Sequence, residues 1–148
     1  MKVYLDISCL CRPFDDQSQV RVREEAEAIE FIFAKFLAGE WKHVSSEIAG
    51  IENDANPDFE IRSQVLSLLP RREEIFKFEQ PQFERAQDLE AMGFKSADAL
   101  HLAAAEALRV DICLSCDDRM CRLAIRCADF LHVRVANPVT WLQEITDD

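Results

Sequence analysis

The chain has 148 residues with 49% hydrophobic content, which suits one domain over residues 1–148 around a single packed core. Its formal charge is −11, from 17 basic and 28 acidic residues, and this argues against broad nucleic-acid binding but leaves room for a local basic rim. No apolar run approaches the ~20 residues needed to span a bilayer, and Met1 leads straight into a strand-like run without an export signal, so the expected compartment is reducing and cytoplasmic, with no membrane partner.

In chain order, Lys2–Asp6 reads as the first strand and Arg12–Asp16 as a loop. Val22, Ala26, Ile29, Phe33, Phe36 and Leu37 recur at helical spacing, with Gly39 as terminator. Trp41–Ser45 is short and β-prone, and Ser46 is placed to cap a helix running to about Asn53. A helix over Asp58–Leu69 follows, then a weaker strand over Glu74–Phe78. Pro81 starts a helix that Gly93 ends. Ser96 is a candidate cap for the alanine-rich helix Asp98–Val110. Asp111–Ser115 reads as a strand, Arg119–Cys127 as a helix, His132–Val135 as the last strand and Pro138–Ile145 as a closing helix. Alternating strands and helices predict an α/β fold with a parallel sheet and helices on both faces.

Ligands of such sheets bind beyond the carboxyl ends of the strands. Asp6 ends the first strand and Asp117 follows Ile112–Leu114. Asp98 opens a helix, whose positive end favours its ionised form, and Glu52 has to reach inward from its own helix. Glu47 competes with Glu52 for one place, and Asp118 with Asp117 for another. Any one of these is more often a cap or a solvated charge, but four in strand-linked positions point to hard divalent cations on oxygen ligands. Of the three histidines, His101 shares the face of Asp98 three residues on and reads as a packed helix residue, while His43 and His132 read as structural. There is no glycine-rich phosphate loop and no nucleophile elbow.

Six cysteines, Cys9, Cys11, Cys113, Cys116, Cys121 and Cys127, read as free structural thiols. The spacing Cys113-x-x-Cys116 leaves zinc and redox roles open, although Cys113 lies inside a strand whose side chains alternate.

At these acids the chain resembles the PIN-domain family of metal-dependent ribonucleases. Val3-Tyr4-Leu5-Asp6-Ile7-Ser8 is similar to the family's first motif, and Ser46 followed by Glu52 to its second. Ser96-Ala97-Asp98-Ala99-Leu100-His101-Leu102-Ala103 matches the third, and Leu114-Ser115-Cys116-Asp117 resembles the fourth. The resemblance implies a three-layer α/β/α sandwich with a central parallel sheet. It implies an acidic site of Asp6, Glu52, Asp98 and Asp117 for Mg²⁺ or Mn²⁺, with Ser8 and Ser115 orienting carboxylates or waters. It further implies the toxin of a toxin–antitoxin pair, a homodimer inhibited by a small antitoxin protein.

The expected activity is cleavage of single-stranded RNA, with Arg12, Lys95 and Arg119 as weak candidates for holding substrate. The alternative is a catalytically silent PIN-like module whose acidic surface docks a basic protein partner. A phosphorylated receiver domain ranks low, because neither Glu74–Phe78 nor the segment after Val135 supplies its Asp and Lys.

Overall fold

The computed structural model describes residues 1–146, and its chemistry begins in four short parallel strands. These are β1 (Lys2–Leu5), β2 (Lys42–Val44), β3 (Ile112–Leu114) and β4 (Val135–Ala136), in the order β2-β1-β3-β4. The register pairs Val3 with Ile112, Tyr4 with Cys113 and Leu5 with Leu114. Alternation then sends Val3, Leu5, Ile112, Leu114 and Ala136 into one buried cluster. Tyr4, Cys113 and Val135 enter the other. The first cluster is closed by α1 (Ile7–Cys11), α2 (Val20–Leu37), α3 (Glu47–Asp54), α4 (Phe59–Leu68) and α8 (Pro138–Thr146). The second is closed by α5 (Gln80–Ala91), α6 (Ser96–Ala107) and α7 (Asp118–Arg126). The result is the expected three-layer α/β/α sandwich.

Helix ends follow the sequence signals closely. Gly39 and Gly93 take positive φ just past α2 and α5, where the last turn needs a left-handed residue. After α6 the same role falls to Arg109, at φ 54°. Pro81 lies in the first turn of α5, reinforced by a capping box between Glu79 and Gln82.

Four expectations require correction. Residues 7–11 form a short helix that the sequence does not announce, and the expected loop tightens at once into a 3-10 turn over Arg12–Phe14. Glu74–Phe78 is not a strand but a 3-10 turn, Arg72–Glu74, followed by one parallel bridge between Phe76 and Ser46. β2 ends at Val44, so only that single rung forms, while Phe76 and Phe78 turn into the core. The last strand is Val135–Ala136 rather than His132–Val135, because the register with β3 pairs only those two residues. The backbone N–H of His132 is taken by Glu106 Oε2, 2.8 Å away. Finally, Ser96 lies inside α6, whose N-cap is Lys95.

Candidate active site

The chain leaves β1 toward β2 on one side and returns to β3 on the other, so the switch point lies between β1 and β3. That crevice is where open α/β sheets take ligands. Asp6 follows β1, and its backbone N–H donates to the carbonyl of Leu114 at the end of β3, at 3.1 Å. Two serines then stitch the neighbouring loops. Ser8 Oγ donates to Asp6 Oδ1 at 2.5 Å and accepts from the N–H of Cys116 at 2.9 Å. Ser115 Oγ accepts from the N–H of Asp117 at 3.1 Å, and the two hydroxyls stand 3.5 Å apart.

Asp6 and Asp117 also cap helices. Asp6 Oδ1 accepts from the N–H of Cys9 at the start of α1. Asp117 Oδ1 accepts from the N–H groups of Arg119 and Met120 at the start of α7. Capping and an acidic site are therefore not alternatives here: every hydrogen bond that the described residues give these two carboxylates falls on one oxygen.

Asp98 sits in the first turn of α6. Its carboxyl is pushed up from 3.8 to about 6, first by burial, then by the charges of Asp6 and Asp117; His101 opposes the rise and Glu52 adds to it. The positive end of α6 was expected to keep Asp98 ionised; burial and three neighbouring carboxylates outweigh it. The same causes put Asp6, Asp117 and Glu52 each within electrostatic reach of Asp98.

Glu52 is brought inward by His101, whose Nε2 lies 2.5 Å from Glu52 Oε1. Nδ1 of the same ring lies 2.7 Å from the hydroxyl of Tyr4, which lies 2.7 Å from Ser46 Oγ. Ser46 occupies the N-cap position of α3 yet makes no side-chain cap. The alternatives lie elsewhere: Glu47 is exposed, and Asp118 is an exposed partner of Arg21 that holds its carboxyl below the usual range.

The basic candidates divide. Arg12 faces away from solvent-borne ligands, pairing with Asp15 and Glu25 at 3.0 Å each; the contact with Glu25 is close but off the hydrogen-bond line. Lys95 is the exposed N-cap residue of α6, and exposed Arg119 in the first turn of α7 donates to the carbonyl of Gly93 at 3.0 Å. Both stand by the turns that carry Asp98 and Asp117.

Buried Glu25 was missed. On α2 it gathers Arg12, Arg21 and Asn137, whose Nδ2 lies 2.5 Å from Oε2. Nothing local marks it among the acidic residues around it. Tyr4 had a readable signal: it is the one tyrosine of the chain, set in an apolar strand where its hydroxyl must find a partner.

All six cysteines are free. Cys113 and Cys116 point into opposite clusters, so the Cys-x-x-Cys spacing makes no site. Cys116 instead lies 3.8 Å from Cys9, sulfur to sulfur. Burial raises the thiols of Cys9 and Cys113 well above their ordinary value, that of Cys11 to about 11 and that of Cys121 to about 12. His43 is held neutral by burial, at about 4, and stacks on Phe36.

The donor set is made of hard carboxylate oxygens, which suits Mg²⁺ or Mn²⁺ and not a thiophilic ion. Among the described residues no three His, Cys, Asp or Glu side chains close into a ready cage. Repelling carboxylates turn to serine, histidine and backbone donors instead, as Asp6, Glu52 and Asp117 each do. A groove of about 730 Å³ runs along β4 between α7 and α8; it is lined by Asp118 and none of the four acids. Among the described residues no helix is long and apolar enough to cross a membrane.

No family model matches the sequence, and no curated protein matches it. Solved structures do. FitAcB from Neisseria gonorrhoeae aligns with a TM-score of 0.59 and 16% identity over 92% of this chain and 97% of the matched one. FitAB bound to an IR36 DNA fragment aligns at 0.60 and 17%, over 93% and 95%. VapBC2 from Rickettsia felis, bound to a DNA fragment from its promoter, aligns at 0.54 and 14%, over 93% and 98%. Likeness over nearly the whole of both chains at such low identity speaks for fold, and the three-layer α/β/α sandwich of this chain is the fold that it shares with those structures.

Proposed function

We propose that this chain is a Mg²⁺- or Mn²⁺-dependent endoribonuclease acting on single-stranded RNA, and the toxin of a toxin–antitoxin pair. The observation that carries the proposal is geometric: Asp6 follows β1, Asp117 follows β3, Asp98 lies in the first turn of α6 and Glu52 is held by His101, and burial together with the other three acids raises the carboxyl of Asp98. Uncompensated negative charge of this kind is what a divalent cation relieves.

In this reading Asp6 and Asp98 hold one cation, while Asp117 and Glu52 hold a second or orient water. When bound, such a cation supplies positive charge at the scissile phosphate and makes water a stronger acid. Ser8 fixes Asp6, and Ser115 fixes the loop of Asp117, so two carboxylates meet substrate already oriented. Lys95 and Arg119 flank the acids and meet the phosphates on either side. The neighbouring cysteines are not competing nucleophiles, since burial keeps Cys9 and Cys113 as thiols.

The neighbouring structures carry the paired names FitAB and VapBC2, two of them bound to DNA fragments, which supports a small antitoxin partner; a homodimer belongs to the same reading. Cytoplasmic residence follows from the same reading. The −11 charge favours a second reading, a silent module that docks a basic protein.

One experiment separates them. The protein is incubated with single-stranded RNA and Mn²⁺ or Mg²⁺, with and without EDTA, beside Asp6→Asn. The nuclease cleaves only with metal, and Asp6→Asn abolishes cleavage. Cleavage that survives EDTA or the substitution refutes the proposal, and a protein that cleaves nothing but retains a basic partner with EDTA present is the module.

A further inference from the structure

We infer that His101 is a positioning residue for the acid site, fixing Glu52 through a one-way chain of hydrogen bonds that begins at Ser46 and passes through Tyr4. The inference rests on the cation-dependent reading above. The chain crosses the molecule: Ser46 precedes α3, Tyr4 belongs to β1, His101 to α6, and Glu52 to α3 again. Its three contacts are 2.7, 2.7 and 2.5 Å. Ser46, Tyr4 and His101 are buried, while the Glu52 side chain keeps about a quarter of its surface at the site (26%). The chain therefore starts in the core and ends at the acids.

Donor and acceptor capacities give it a direction. A glutamate carboxylate only accepts, so Nε2 of His101 carries the ring proton. In the neutral ring Nδ1 is then a lone pair and accepts from the Tyr4 hydroxyl. The Tyr4 oxygen in turn accepts from Ser46. Each interior group donates once and accepts once. The edge-on contact of the two rings, at 5.5 Å and 72°, holds His101 in place.

Folding alone does not account for this use of Ser46. A serine at an N-cap ordinarily bonds its own helix, and that bond is given up here. Its hydroxyl is spent on orienting Tyr4, and through Tyr4 and His101 the carboxylate of Glu52. Histidines that orient ligating groups affect metal affinity by about 10–100-fold.

The test uses the full chain as wild type, His101→Leu, His101→Gln and Tyr4→Phe. Free Mn²⁺ is read by electron paramagnetic resonance without RNA, cleavage is measured separately, and ring-nitrogen NMR reports the His101 tautomer in the metal-free protein. The expected result is a single Nε2–H tautomer in wild type and a mixture in Tyr4→Phe. Mn²⁺ affinity should fall about 10–100-fold in His101→Leu. His101→Gln, which keeps a donor for Glu52, should restore most of it. An Nδ1–H tautomer in wild type overturns the inference, as does wild-type Mn²⁺ affinity in His101→Leu or a His101→Gln variant no better than His101→Leu. A wild type that holds Mn²⁺ but cleaves no RNA sinks the ribonuclease reading, and the variant comparison still decides the role of His101. If Leu disturbs folding, the Gln variant and the tautomer of the wild type remain decisive.

Discussion

Replacing Asp98 by Asn should make the metal-free protein more stable while removing its activity. The carboxyl of Asp98 is raised from 3.8 to about 6, so the folded state disfavours its charge. At about 1.36 kcal/mol per tenfold change in proton affinity, the full penalty is about 3 kcal/mol. Asp98 is only half-buried, and solvent screening reduces this to roughly 1–2 kcal/mol. In a domain of this length the relief raises the melting temperature by about 2–8 °C.

The sign fixes the pH window. A carboxyl with a raised folded value binds its proton more tightly in the folded state than in the unfolded one. Wild-type stability therefore declines as pH rises from about 4 through about 6, and the penalty is complete above that. Near pH 4 the folded state holds the proton and the unfolded state, with its ordinary value of 3.8, holds it about half the time, so the gap between the two proteins should shrink to a small fraction of its size at pH 7.5. The assay is thermal unfolding by circular dichroism at pH 4 and pH 7.5 in EDTA, then with Mn²⁺ at pH 7.5. Mn²⁺ should raise the wild-type midpoint more than that of Asp98→Asn, because a ligand that binds only the folded state stabilises it by mass action. An Asp98→Asn midpoint at or below wild type at pH 7.5, or a gap independent of pH, refutes the account of crowded carboxylates.

Three further measurements probe the frame around the site. Glu25→Ala leaves Arg12 and Arg21 without their shared buried partner and should cost about 3 kcal/mol in urea denaturation; a change under about 0.5 kcal/mol contradicts the role given to Glu25. Arg109→Gly relieves a left-handed residue at the end of α6 and should gain about 0.5 kcal/mol in the same assay. With a thiol reagent at pH 8, Cys9 and Cys113 should react only as fast as the protein unfolds, and Cys11 and Cys121 slowly, given values near 11 and 12; rapid labelling of Cys113 contradicts its place in the core.

The acid site divides between what neighbouring residues in the chain decide and what distant ones decide. Strand alternation sends Val3 and Leu5 to one face and Tyr4 to the other, and Gly39 and Gly93 end their helices, because those signals act within a few residues. The positions of Asp6, Asp98 and Asp117 were legible for the same reason: each follows a strand or opens a helix. The choice of Glu52 over Glu47 was not. Both lie on α3, and what separates them is a ring on α6, forty-nine residues away in the chain. Arg12 reads as part of a basic rim until Glu25 on α2 claims it. Glu25 in turn depends on Asn137, 112 residues on. The five residues of α1 carry too short a pattern to read, and the aspartate that caps them also ends β1. Sequence thus identifies which groups could carry the chemistry, while long-range polar pairing selects among equivalents. Each selected acid gives one oxygen to serine, histidine or backbone, and that division of labour orients the carboxylates of Asp6, Glu52 and Asp117 before any cation arrives.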